Sequence, residues 1–111
     1  PTVENNDRNI CIQAVVDARI GLEVLAARKD VDAARMAVVG HGYGAMWAGI
    51  LAGVDERVKG AVLVSPMASI ADGLASDDPD SADLRYAIGR AGFVKYTESL
   101  RDFDLPPYLA A

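Results

Sequence analysis

Met36-Ala-Val-Val-Gly40-His41-Gly42-Tyr43-Gly44-Ala45 joins a short, continuously apolar run to a turn in which three of five residues are glycine. An unbroken apolar run of this length that ends in glycine reads as a strand over 35–40, buried on both faces, because a half-buried strand would alternate. After the turn at 40–44, the stretch 44–53 is rich in Ala, Met, Trp and Leu and reads as a short helix. Asp55-Glu56-Arg57 then supplies a polar turn, and 59–65, centred on Gly60-Ala-Val-Leu-Val64, reads as a second buried strand. Two apolar strands joined through a helix form a βαβ unit, expected to be parallel with a right-handed crossover and helices covering both sheet faces. The fold class is therefore α/β, with a parallel-sheet core in a three-layer αβα arrangement.

Upstream, Cys11, Val15, Ala18, Leu22 and Leu25 recur at spacings of four and three, which predicts an amphipathic helix over 8–29. Asn6 or Asp7 would cap its start, and Arg28 and Lys29 would complement the negative end of its dipole. Downstream, 66–111 loses this regularity. A loop runs to about Asp80, followed by helices over 81–91 and around 94–100, and by Pro106-Pro107.

The 111 residues are 51% apolar and 24% charged, a composition of soluble globular domains, with one domain as the ceiling. The single cysteine, Cys11, forms no internal bridge, reads as a buried small hydrophobe, and is compatible with a reducing, cytoplasmic setting. The net charge of −5 and the acidic stretch of Asp72, Asp77, Asp78, Asp80 and Asp83 argue against nucleic acid, which needs a clustered basic surface. That stretch reads as a solvated loop in preference to a cation site. The apolar runs are too short to cross a bilayer, so no membrane partner is expected. The chain opens on Pro1, so its first residues carry no information about a targeting segment.

Gly40-His41-Gly42-Tyr43-Gly44 sits where a nucleophile elbow would sit, at a sharp strand-to-helix junction with G-x-S-x-G spacing. The wider stretch from Asp30 through Asp32-Ala-Ala-Arg35 to Ala45 resembles α/β-hydrolases of the dienelactone-hydrolase and prolyl-oligopeptidase-like group. In that group an Asp-x-x-Arg linker leads into the elbow strand, and the usual elbow is Gly-His-Ser-x-Gly. The resemblance runs over about residues 10–66, to Val64-Ser65-Pro66. It implies serine attack on small esters or peptides, without cofactor or metal, at the position of Gly42. It also implies that the backbone N–H of Tyr43 stabilises the oxyanion and that Gly40 and Gly44 let helix and strand approach.

Glycine carries no atom for a base to deprotonate, so no acyl-enzyme can form at Gly42. The resemblance places the triad acid and histidine on later strands, which this chain does not include. A partial domain, inactive as written, is the expectation. His41 is the only histidine and reads as structural in preference to catalytic.

Two other classes compete. Gly40 to Ala45 also satisfies G-x-G-x-x-A, the dinucleotide-binding fingerprint, but the acidic residue expected at the end of the next strand is Ser65. A non-catalytic interaction module derived from a hydrolase is the other, since uncovered strand edges invite pairing with a second copy or with the remainder of a hydrolase chain. Ser65 and Ser69 follow a strand's carboxyl end, where substrate contacts gather in open α/β sheets, although serines also begin turns. Trp47, Met46, Ile50 and Leu51 read as core. Tyr86, Tyr96 and Tyr108 either line a pocket or anchor loops.

Overall fold

Residues 36–41 and 58–64 pair as two parallel strands, β1 (Met36–His41) and β2 (Val58–Val64), joined through helix α2 (Tyr43–Val54) in a computed structural model that describes residues 3–75 and 79–110. The β-branched valines of both strands favour the pleated conformation. The helical connection makes a parallel pair possible, because parallel strands need a crossover. Val39 faces Val62 across the pair, Gly40 faces Leu63, and His41 faces Val64. Each boundary lies within one residue of the βαβ unit expected from the sequence.

The sheet is not buried on both faces. Met36 and Gly40 are buried and Val38 and Leu63 half-buried on the side that α2 covers. On the other side Val39 is 75% exposed, Val62 57% and Val64 44%. An apolar run records what a strand needs around it, and the described residues supply that on one face. They form a mixed α/β structure, mostly helical, with a two-stranded parallel sheet.

Helix α1 (Val3–Ala26) begins and ends earlier than 8–29. Asn6 and Asp7 therefore lie within the helix and do not cap it. Arg28 and Lys29 lie beyond it, and Arg28 grips Asp30 through two hydrogen bonds of 2.6 and 2.9 Å. Cys11, Val15, Ala18 and Leu22 face the core as expected, but Leu25 is 45% exposed and Ala26 packs in its place. Ile12, Val16, Ile20 and Val24 make a second apolar row, spaced by four and exposed.

The carboxyl-terminal part is more ordered than a loop. Helix α3 (Ile70–Ala75) starts at Ser69, whose hydroxyl accepts from the Asp72 N–H at 3.1 Å. Ser69 is thus an N-cap. Asp72 and Asp83 of the acidic stretch are exposed helical residues, while Asp77 and Asp78 lie outside the described residues. Residues Pro79–Ser99 (α4) are two helical segments that meet at Gly89, where φ is 68° and ψ 170°, so the two expected helices are present and the break between them falls at Gly89. A 3₁₀ turn over Arg101–Phe103 leads to the single-turn helix α5 (Pro106–Leu109), which docks on α2.

Met46 and Leu105 are fully buried at the centre of the main core, beside Cys11, Ile50, Ile70 and Phe103. Trp47 meets Phe103 edge to face at 6.3 Å. A smaller cluster of Leu22, Met36 and Leu51 ties α1 to the start of β1. The polar turn after α2 is a lock: buried Asp55 accepts from Arg57 at 2.6 and 2.8 Å and from Arg19 of α1 at 3.1 Å. The Arg57 guanidinium, ahead of its own backbone N–H and Arg19, holds the Asp55 carboxyl far below the usual carboxylate range. No helix of the described residues is long and apolar enough to cross a membrane.

Candidate functional site at the strand-to-helix turn

The approach to the turn is set by Asp32. Its carboxylate caps the short 3₁₀ helix Ala33–Arg35 by accepting from the Ala34 N–H at 3.0 Å, and it pairs with Arg35 at 2.6 Å. The Asp-x-x-Arg spacing is therefore a local clamp that brings the chain into β1 at a defined angle.

At the other end of β1, helix and strand come very close. A Cβ on Gly40 would lie 2.2 Å from the Gly44 carbonyl oxygen and 2.6 Å from Ala45 Cα, both backbone atoms that cannot give way. Only glycine fits at position 40. A Cβ on Gly44 would meet no atom within 4 Å, so the steric demand expected of both flanking glycines rests on Gly40 alone.

Gly42 sits at the apex with φ 57° and ψ −122°. Ordinary side chains avoid this region, at a cost of about 1–3 kcal/mol. The conformation is held from both sides: the Gly42 N–H donates to the Val64 carbonyl at 3.0 Å, and the Gly42 carbonyl accepts from the Ala45 N–H at 3.1 Å. A Cβ at Gly42 would enter open space, so the apex has room for a side chain.

Tyr43 opens α2, and its N–H belongs to the first turn, where helix donors lack intrahelical acceptors. Its side chain is 63% exposed. Side chains alternate along a strand, so His41 points opposite to position 40, away from α2, and it is exposed on the uncovered sheet face. Ser65 ends β2 beside the apex and is the one non-glycine residue of the described set with positive φ, at 51°. It is exposed, and it occupies the strand end where a dinucleotide fold would place its acid. The turn thus brings Gly42, Tyr43 and Ser65 to the carboxyl ends of both strands. It provides no oxygen or sulfur nucleophile at the apex, and it directs the only imidazole elsewhere.

A cleft of about 230 Å³ opens beside the turn, bordered by Tyr43 and Trp47 of α2, Asp7 and Cys11 of α1, and Tyr96 of α4. The Tyr96 hydroxyl donates to Asp7 Oδ2 at 2.7 Å. Burial, then this hydrogen bond, pushes the Tyr96 phenol well above its ordinary range. Burial, then the nearby Asp7 charge, pushes the Cys11 thiol up as well, away from the thiolate form that a nucleophile requires. Sequence patterns did not reveal this group, because Asp7 and Tyr96 stand 89 positions apart. Comparison with protein-family models, curated proteins and solved structures found no match to this chain.

Proposed function

We propose that this chain carries the nucleophile elbow of an α/β-hydrolase-type domain from which the nucleophile has been lost, and that it performs no acyl transfer as written. The supporting observation is the apex itself. Gly42 adopts a backbone state of φ 57° and ψ −122°, with open space above it and Gly40 sealed against the following helix. In a serine-bearing relative, the serine would attack a small ester or peptide at this position, with the Tyr43 N–H facing the developing oxyanion. With Gly42, no hydroxyl exists to attack, and His41 is turned away.

Purified protein mixed with p-nitrophenyl acetate is expected to release no stoichiometric burst of nitrophenol. A burst that persists after Cys11→Ser would overturn the proposal. Gly42→Ser is the complementary variant: it places a side chain on a positive φ, so stability should fall by about 1–3 kcal/mol, a drop in Tm of about 4 °C or more for a domain of this size. A raised Tm would be incompatible with the elbow reading.

A second reading, an interaction module built on the same fold, is favoured by the uncovered sheet face at Val39, Val62 and Val64. In it, a second helical layer from a second copy or from further hydrolase polypeptide completes the αβα sandwich. Sedimentation that returns a monomer at millimolar concentration, with these valines still open to solvent, would remove the homo-oligomer version.

A further inference from the structure

The cleft beside the turn has a one-sided chemistry. Among the described residues, its lining includes one carboxylate, Asp7, three aromatic side chains, Tyr43, Trp47 and Tyr96, and the apolar groups of Cys11 and Ile70, with no lysine or arginine. The nearest arginine along α1, Arg8, is directed elsewhere, pairing with Asp102 at 2.8 Å. Tyr96 already serves one oxygen of Asp7 and orients the carboxylate. The rest of that carboxylate accepts only, and a ligand that completes it must donate hydrogen bonds.

The aromatic walls point the same way. Ring faces carry negative potential and attract cations, most strongly where water is excluded. An anion would meet the Asp7 charge, and an uncharged apolar ligand would strip water from Asp7 without replacing its hydrogen bonds. The volume of about 230 Å³ gives room for one aromatic ring with a short arm.

We propose that this cleft binds a small arylalkyl ammonium ion, with its charged head on Asp7 and its ring against Tyr43 and Trp47. The site does not depend on the hydrolase reading, since it uses none of the apex atoms of Gly42. Asp7 acts twice in it, as the tie between α1 and α4 and as the recognition group.

Trp47 is the only tryptophan, so its fluorescence reports on the cleft directly. The chain is titrated with 2-phenylethylammonium, with 2-phenylethanol as its uncharged counterpart, and with phenylacetate as the anion. The ammonium ion is expected to give a saturable change, about tenfold tighter than the alcohol, with phenylacetate weakest. Bound ammonium ion should also slow alkylation of Cys11 by iodoacetamide. Asp7→Asn keeps an oxygen acceptor for Tyr96 and should reduce ammonium affinity to that of the alcohol. Equal affinity for ammonium and alcohol, preference for phenylacetate, or no saturation by the ammonium ion at about 10 mM would overturn the proposal. The three-ligand comparison on the unaltered protein decides the matter even where Asp7→Asn fails to fold by circular dichroism.

Discussion

The two faces of the β1–β2 sheet carry similar residues and have opposite surroundings. On one face, Met36 and Gly40 are sealed by α2, with the smaller cluster around Leu22 and Leu51 beneath. On the other, Val39, Val62 and Val64 stand in solvent. Burying a valine is worth about 1.5–3 kcal/mol, so three left open represent a stabilisation that the described residues do not realise. The contrast shows that the turn is held by α2 and by the end of β2, where the Val64 carbonyl accepts from the Gly42 N–H, with nothing among the described residues covering the other face. Its geometry therefore survives without the second layer.

Substitutions on the two faces should therefore differ widely in effect. The largest effect is expected from Gly40→Ala, which forces a Cβ onto the Gly44 carbonyl. Urea denaturation should report a loss of about 3 kcal/mol or more, and a neutral result would mean that α2 does not press on β1 at Gly40.

Asp55, also on the α2 side, should come next. Asp55→Asn leaves Arg57 and Arg19 without their carboxylate and is expected to cost about 2 kcal/mol at neutral pH. Arginine contacts lower the folded pKa of Asp55, so its contribution is present above the unfolded value of about 3.9 and is lost as pH falls below it. The unaltered chain should therefore lose stability below about pH 4, with a steeper slope than Asp55→Asn in parallel denaturation series. Equal slopes would mean that the lock carries no weight.

The smallest effect belongs to the open face. Val39→Thr should change stability by no more than about 0.5 kcal/mol in the isolated chain. A loss of several kcal/mol that grows with protein concentration would show that this face is covered in solution by a second copy.

The βαβ unit was legible because each of its signals is local. Apolar runs set β1 and β2, and the Gly40-x-Gly42-x-Gly44 spacing set the turn between β1 and α2. The start of α3 was equally local, since Ser69-Ile-Ala-Asp72 has the spacing of an N-terminal cap. It was obscured by the acidic residues around it, which favour a loop by composition. The kink in α4 has its own glycine at 89, but a lone glycine in a helical pattern does not announce a positive φ.

What lay beyond reach was pairing at long range. Tyr96 with Asp7 and Arg8 with Asp102 join α1 to the carboxyl-terminal helices across about ninety residues, and no periodicity in either segment encodes the other. The cleft was hidden for that reason. The exposure of Val39 was hidden for a different one: hydrophobicity states a preference for burial and carries no information on whether a partner layer is present.

The conformation of Gly42 has a consequence for heredity. Because neighbours in β2 and α2 impose the apex geometry and leave open space above it, a side chain at position 42 costs backbone strain but needs no rebuilding of the turn. Where a glycine codon ends in a pyrimidine, a single base substitution converts it to serine. A lineage that carries this turn therefore lies one base change from a hydroxyl-bearing side chain at the apex, a step among the shortest available in the genetic code.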